Sequence, residues 1–198
     1  MHSSLLRRSL LITLATLTLS SLPILIASPQ LAEAVQLRDG RVYFVQPPRL
    51  LSLSTSENRA SASTATYDLT LTIPEDAGEP LQRVVIEQRD GDSNLRNISF
   101  DPTDVEAFVG ERGDRGEPIP LGETTFDRET QTLSVQFNPA VLPGTTVILR
   151  LEPRRNPRSE GVYLFGITAF PPGETAYGQF LGYGRLHFYS SGDPFPFF

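Results

Sequence analysis

The segment TYDLTLTI constrains this chain more than any other. Tyr67, Leu69, Leu71 and Ile73 alternate with Asp68, Thr70 and Thr72. A period of two sends the apolar four to one face of a strand and the polar three to the other. Such a half-apolar strand needs a second layer to cover it. The rest of the chain offers more strands. TLSVQF groups Leu133, Val135 and Phe137, and TVILRLE groups Val147, Leu149 and Leu151. VYLFGITAF, Val162 to Phe170, is apolar on both faces, as a central strand is, and Pro171, Pro172 and Gly173 stop it. VYFV (Val42 to Val45), LQRVVIEQ and NISF are further extended segments. Turn chemistry lies between them: PEDAGEP, RDGDSN and the polar loop GERGDRGEP, Gly110 to Pro118. Ser52 to Ala65 is polar and of low complexity, and reads as a flexible connection. DPTDVEAF has room for one helical turn, capped by Asp101 or Thr103. Eight or nine short strands with little or no helix predict an all-β, antiparallel β-sandwich, immunoglobulin-like in general shape, over residues 35–189.

The first 34 residues stand outside that domain. Arg7 and Arg8 precede an apolar run from Leu10 to Ala27, and Ala32 and Ala34 offer an A-x-A cleavage site. The segment reads as a signal peptide cut near Ala34, with an uncleaved membrane anchor as the alternative. The expectation is an exported protein of the periplasm or cell envelope. Cleavage takes the formal net charge from −6 to −7, because Arg7, Arg8 and Glu33 leave together. An acidic domain is a poor partner for nucleic acid, whose phosphates dominate affinity. With no cysteine, disulfides, thiolate nucleophiles and thiolate metal sites are excluded. With no lysine, Schiff-base chemistry and covalent pyridoxal phosphate are excluded as well. Stability must come from the core, and a mature chain of about 164 residues is long enough to bury one.

Few groups remain for catalysis. Beyond the leader His187 is the lone imidazole, there is no G-x-S-x-G elbow, and zinc lacks nitrogen and sulfur ligands. Asp90, Asp92 and Asn94, with Asp101 at the twelfth position, have calcium-loop spacing. Leu95 stands where that loop needs glycine, so a turn explains them better. Glu75, Asp76 and Glu79 cluster in a proline-bounded turn, which leaves a carboxylate-based polysaccharide hydrolase as the alternative to a non-enzymatic reading. No cofactor is expected. The closing GDPFPFF, in the tail 190–198, is broken by Pro194 and Pro196 and reads as a disordered or docking segment in preference to the last strand of a membrane barrel.

Two stretches are candidates for binding. In RLEPRRNPRSEG the Asn156-Pro157 turn projects Arg154, Arg155 and Arg158 from one exposed loop. Guanidinium forks suit carboxylate, sulfate or phosphate groups. In GQFLGYGRLHFY the alternation puts Phe180, Gly182, Gly184, Leu186 and Phe188 on a core face. Leu181, Tyr183, Arg185, His187 and Tyr189 form the other, a solvated sheet face or a platform for a sugar ring.

The stretches TYDLTLTIPEDAGEPLQRVVIEQ, FNPAVLPGTTVILRLEPRRNPRSEGVYLFGITAFPPG and GQFLGYGRLHFY, in that order, resemble the domain-of-unknown-function family numbered 2808. The likeness runs from about Val42 to Tyr189. It implies a bacterial exported protein, largely of cyanobacteria, associated with the periplasm or envelope. It supplies no activity and no site residues. A bacterial source also makes Asn97-Ile98-Ser99 a strand fragment, not a glycosylation sequon. The expected function is a binding or structural module of the envelope, for anionic polysaccharide or a protein partner, touching membrane only through an uncleaved leader.

Overall fold

The computed structural model describes residues 40–89 and 97–190. Ten strands run in chain order: β1 (Arg49–Thr55), β2 (Tyr67–Thr72), β3 (Leu81–Gln88), β4 (Phe100–Glu111), β5 (Asp114–Pro118), β6 (Leu121–Asp127), β7 (Thr132–Val141), β8 (Thr146–Pro153), β9 (Gly161–Phe170) and β10 (Gln179–Phe188). They form two five-stranded sheets, β1-β2-β8-β4-β5 and β10-β9-β3-β7-β6. Every pairing between the strands is antiparallel. Each sheet is open at both edges. The all-β sandwich is therefore the architecture, with two layers and no helix among the described residues.

The alternation in TYDLTLTI explains the packing. Tyr67, Leu69, Leu71 and Ile73 are buried from one side, and Val84, Ile86, Leu133, Val135, Phe137, Phe165 and Ile167 close on them from the second sheet. Tyr67 sits among rings. Phe100 and Phe165 meet it edge-on at 6.0 and 6.4 Å, and Phe188 meets it tilted at 6.0 Å. Arg150 and Asp68, paired in register on β8 and β2, make a two-point ion pair at 3.0 and 3.1 Å on the outer side of the first sheet. Such forked pairs fix geometry as well as charge.

Five local readings change. DPTDVEAF is not a helical turn. The Asp101 carboxylate accepts from the backbone N–H and hydroxyl of Thr103, which forms a bulge in β4, and buried Val105 and Ala107 then resume the period of two. The polar loop at Gly110–Pro118 is mostly the exposed β4–β5 hairpin. Ser52 to Thr55 lie in β1, with Leu50 and Leu53 packed on the core. VYFV forms a strap, not a strand. Val42 bridges Ala176, and the Val45 N–H donates to the Ala77 carbonyl at 2.8 Å. In β10 a bulge between Phe180 and Gly182 shifts the phase. Phe180 is turned outward, 52% exposed, and Leu181 packs on the core in its place. The leader, Asp90, Asp92 and Asn94, and the tail beyond Ser190 lie outside the described residues.

At one side of the sandwich, edge strand β1 meets edge strand β10. Leu53 lies directly over Gly184: a Cβ there would stand 2.6 Å from Leu53 Cδ2 and 2.8 Å from its Cβ. No side chain fits without moving the edge. Gly184→Ala is expected to cost about 1–3 kcal/mol through overpacking. Thermal melts of the four proteins in a Gly184→Ala/Leu53→Ala cycle check this, and the cost should shrink in the Leu53→Ala background.

Candidate functional site

Three segments meet at one end of the sandwich: the β1–β2 connection, the β8–β9 connection and the end of β10. Asn156 holds them together. It is 2% exposed, its Oδ1 accepts from the Tyr67 hydroxyl at 2.7 Å, and its Nδ2 donates to the carbonyls of Glu57 and Arg59, both at 2.9 Å. The Asn156 N–H donates to the Ala62 carbonyl at 2.7 Å, and the Ser61 N–H donates to Pro157 at 2.9 Å. The Tyr189 N–H donates to Asn58 at 2.9 Å, and the Ala60 N–H donates to Tyr189 at 2.8 Å. The Tyr67 phenol is pushed up from its ordinary pKa, first by burial and then by Tyr163, so it stays protonated and remains a donor.

This frame presents the arginines. Arg154, Arg155 and Arg158 are all exposed, on either side of the buried Asn156-Pro157 pair. Arg154 reaches Asp101 at 3.1 Å. Asp101 is held below the usual carboxylate range, first by its hydrogen bonds from Thr103 and then by Arg154. Arg59 is paired with Glu57 at 3.0 Å, and that bond holds the Glu57 carboxyl below its ordinary value. Arg155 and Arg158 have no ion-pair partner among the described residues. Tyr189, 54% exposed, belongs to the same stitched end through its backbone bonds to Asn58 and Ala60.

The outer face of β10 leads away from this end. His187 lies beside Val162, Arg185 beside Leu164 and Tyr183 beside Gly166 on β9. His187, Arg185 and Tyr183 are exposed, the last at 54%. Tyr183 packs edge-on against Phe180 at 5.1 Å. Both rings lie over Gly166, whose missing Cβ would be 3.4 Å from Phe180 and 3.6 Å from Tyr183. All seven residues named from the sequence are thus on the surface. Arg154, Arg155, Arg158 and Tyr189 share the stitched end, and the other three continue along one strand. Phe180 belongs with them, and its assignment to the core hid it. Sequence reasoning also missed a polar groove on the outer face of the second sheet, because its residues come from four strands.

Of the clustered acids, Glu79 is 7% exposed, one of its oxygens has no partner among the described residues, and burial raises its pKa. Among the described residues no group of three or more metal-ligating side chains is brought together.

These features define an all-β sandwich domain with arginines and aromatic rings on one end and one edge. The chain belongs to the family described as a protein of unknown function, DUF2808, which matches residues 41–188. No curated protein matches it. Among solved structures it is similar to a DUF4466 family protein from Parabacteroides merdae, at 12% identity and a TM-score of 0.40, covering 70% of this chain and 44% of that one. It is also similar to the collagen-binding domain of a Staphylococcus aureus adhesin, at 7% and 0.34, covering 62% and 85%. The group B streptococcus pilus 2b backbone protein stands at 11% and 0.42, covering 69% and 56%. The chain therefore spans only about half of the Parabacteroides and streptococcal chains. Likenesses this distant carry nothing further, and the sandwich stands on its own strand pairing.

Two predictions test this geometry. Asn156→Ala leaves the Tyr67 hydroxyl and two carbonyls unpaired and is expected to cost about 2–4 kcal/mol, and Tyr67→Phe about 1–3 kcal/mol. Denaturant unfolding measures both, and limited trypsin digestion should cut faster after Arg155 and Arg158 in Asn156→Ala. Glu79 binds its proton more tightly in the folded than in the unfolded chain, so its burial penalty applies above the folded pKa and vanishes below the unfolded one. Glu79→Gln should therefore raise Tm at pH 7, with the gap closing as the pH falls through the carboxylate range.

Proposed function

We propose that this chain is an exported, non-enzymatic binding module of the bacterial cell envelope that holds an anionic polysaccharide on its arginine-lined end. One observation carries the reading. Arg155 and Arg158 are exposed and unpaired on a backbone that buried Asn156 fixes to the core. A guanidinium fork binds carboxylate or sulfate at two points, and a fixed loop loses little entropy on binding. Tyr189 offers a ring to the apolar face of a sugar. The export expectation rests on the leader sequence and the envelope assignment on the family likeness, both read from the chain alone.

The test measures binding of the purified protein to polygalacturonate, dextran sulfate and uncharged dextran at two salt concentrations. The protein should bind a charged polymer, more weakly at high salt because exposed charges are screened. The Arg155→Gln/Arg158→Gln variant should bind about tenfold more weakly, a change of about 1.4 kcal/mol. Equal binding by the variant, or no binding to either charged polymer, overturns the proposal. The second result points instead to a protein partner.

A further inference from the structure

The outer face of the second sheet carries a groove of about 450 Å³. Strands β9, β3, β7 and β6 build it, and the start of the β9–β10 connection walls it with Pro171 and Gly173. Register places its side chains in two rows. Phe170, Arg83 and Gln136 stand opposite one another on β9, β3 and β7, with Glu123 of β6 lining the same space. One step along, Thr125 and Ser134 line the groove, and in register with them Val85 and Thr168 carry the row on across β3 and β9, outside the groove itself. The β10 bulge adds Phe180 to the end of that second row, opposite Thr168.

Of the groove's polar side chains, Gln82 is tied to the fold by donating to the Phe137 carbonyl, and the others are not. Arg83, Glu123, Thr125, Ser134 and Gln136 make no side-chain hydrogen bond or ion pair among the described residues. Arg83 is instead positioned by stacking over the Phe170 ring at 4.0 Å. Gly178 lets that ring lie flat, because a Cβ there would be 2.5 Å from it.

We propose that this groove is a binding site for an uncharged glycan chain lying across the strands. It is a second site, separate from the arginine-lined end, and does not depend on the reading of that end. The chemistry selects the ligand. The lining offers donors and acceptors together: guanidinium, carboxylate, amide and two hydroxyls. Sugar hydroxyls, each both donor and acceptor, are their complement. Glu123 lines the same groove from two strands away, so one carboxylate and one guanidinium leave the lining without net charge and without a preference for an anionic chain. A protein partner would need a buried apolar anchor, and Phe170 is capped by Arg83. From Thr125 to Phe180 the second row crosses five strands, about 19 Å at the spacing of paired strands. That suits a chain and exceeds a single ring. Exposed Phe180 at its end offers a stacking surface.

The experiment is titration calorimetry of the whole protein with cellohexaose, maltohexaose and the fully N-acetylated chitin hexasaccharide, and with polygalacturonate as the charged comparison. At least one neutral hexasaccharide should bind saturably and without salt dependence. Gln136→Ala should weaken that binding about tenfold. Ser134→Trp, which fills the groove, should abolish it, and Phe180→Ala should weaken it. Arg155→Gln/Arg158→Gln should leave it unchanged while reducing polygalacturonate binding, so failure of one site is distinguishable from failure of the other. Melting curves check that each variant is folded. If Ser134→Trp does not fold, Gln136→Ala decides alone. No binding of any neutral hexasaccharide, or binding untouched by the groove variants, overturns the proposal.

Discussion

The hydrogen bond from the Tyr67 hydroxyl to Asn156 Oδ1 joins the core of this protein to its working end. Tyr67 contributes its ring to the aromatic packing between the sheets and its hydroxyl to the loop beyond them. Asn156 turns that single contact into a frame through its two amide donations and its backbone N–H. A buried polar group of this kind is held in place by the cost of leaving its partners unpaired. The same residue that looks like half of an exposed Asn-Pro turn is therefore among the most buried polar side chains described. The arginines around it inherit a rigid base.

Bulges decide which side chains this sandwich shows to solvent. In β10 one extra residue reverses the facing of Phe180 and Leu181 while leaving Leu186 and Phe188 inside. A slip of one residue always exchanges the faces. In β4 the Asp101–Thr103 hydrogen bonds do similar work, and they also aim Asp101 at Arg154. Edge strands β1 and β10 then touch through Leu53 and Gly184, where the absence of a side chain sets the distance.

Charge is sorted by the same geometry. Arg150, in register with Asp68, is committed to the sheet, and Arg59 and Arg154 have acids beside them. Arg155, Arg158 and Arg83 are left for something else. The exposure of Arg154, Arg155 and Arg158 and of Tyr183, Arg185, His187 and Tyr189 was legible in the sequence, because a turn and a period of two each predict a side. The burial of Asn156 and Pro157 between the arginines was not, and neither was the groove. Arg83, Glu123, Ser134 and Gln136 are spread along the chain with no local pattern, and only strand register brings them together.

By itself the sequence determined the layer architecture and most of the core. Alternation over TYDLTLTI, TLSVQF and TVILRLE reports burial directly, since neighbouring residues on a strand face opposite ways. Proline and glycine reported the strand ends for the same local reason. What only the tertiary structure decided was everything set by pairing at long range: which strands became edges, which arginines met acids, where Asn156 pointed, and where a bulge turned Phe180 outward. Those outcomes depend on which residue lies opposite which across a sheet, and no window of sequence contains both partners.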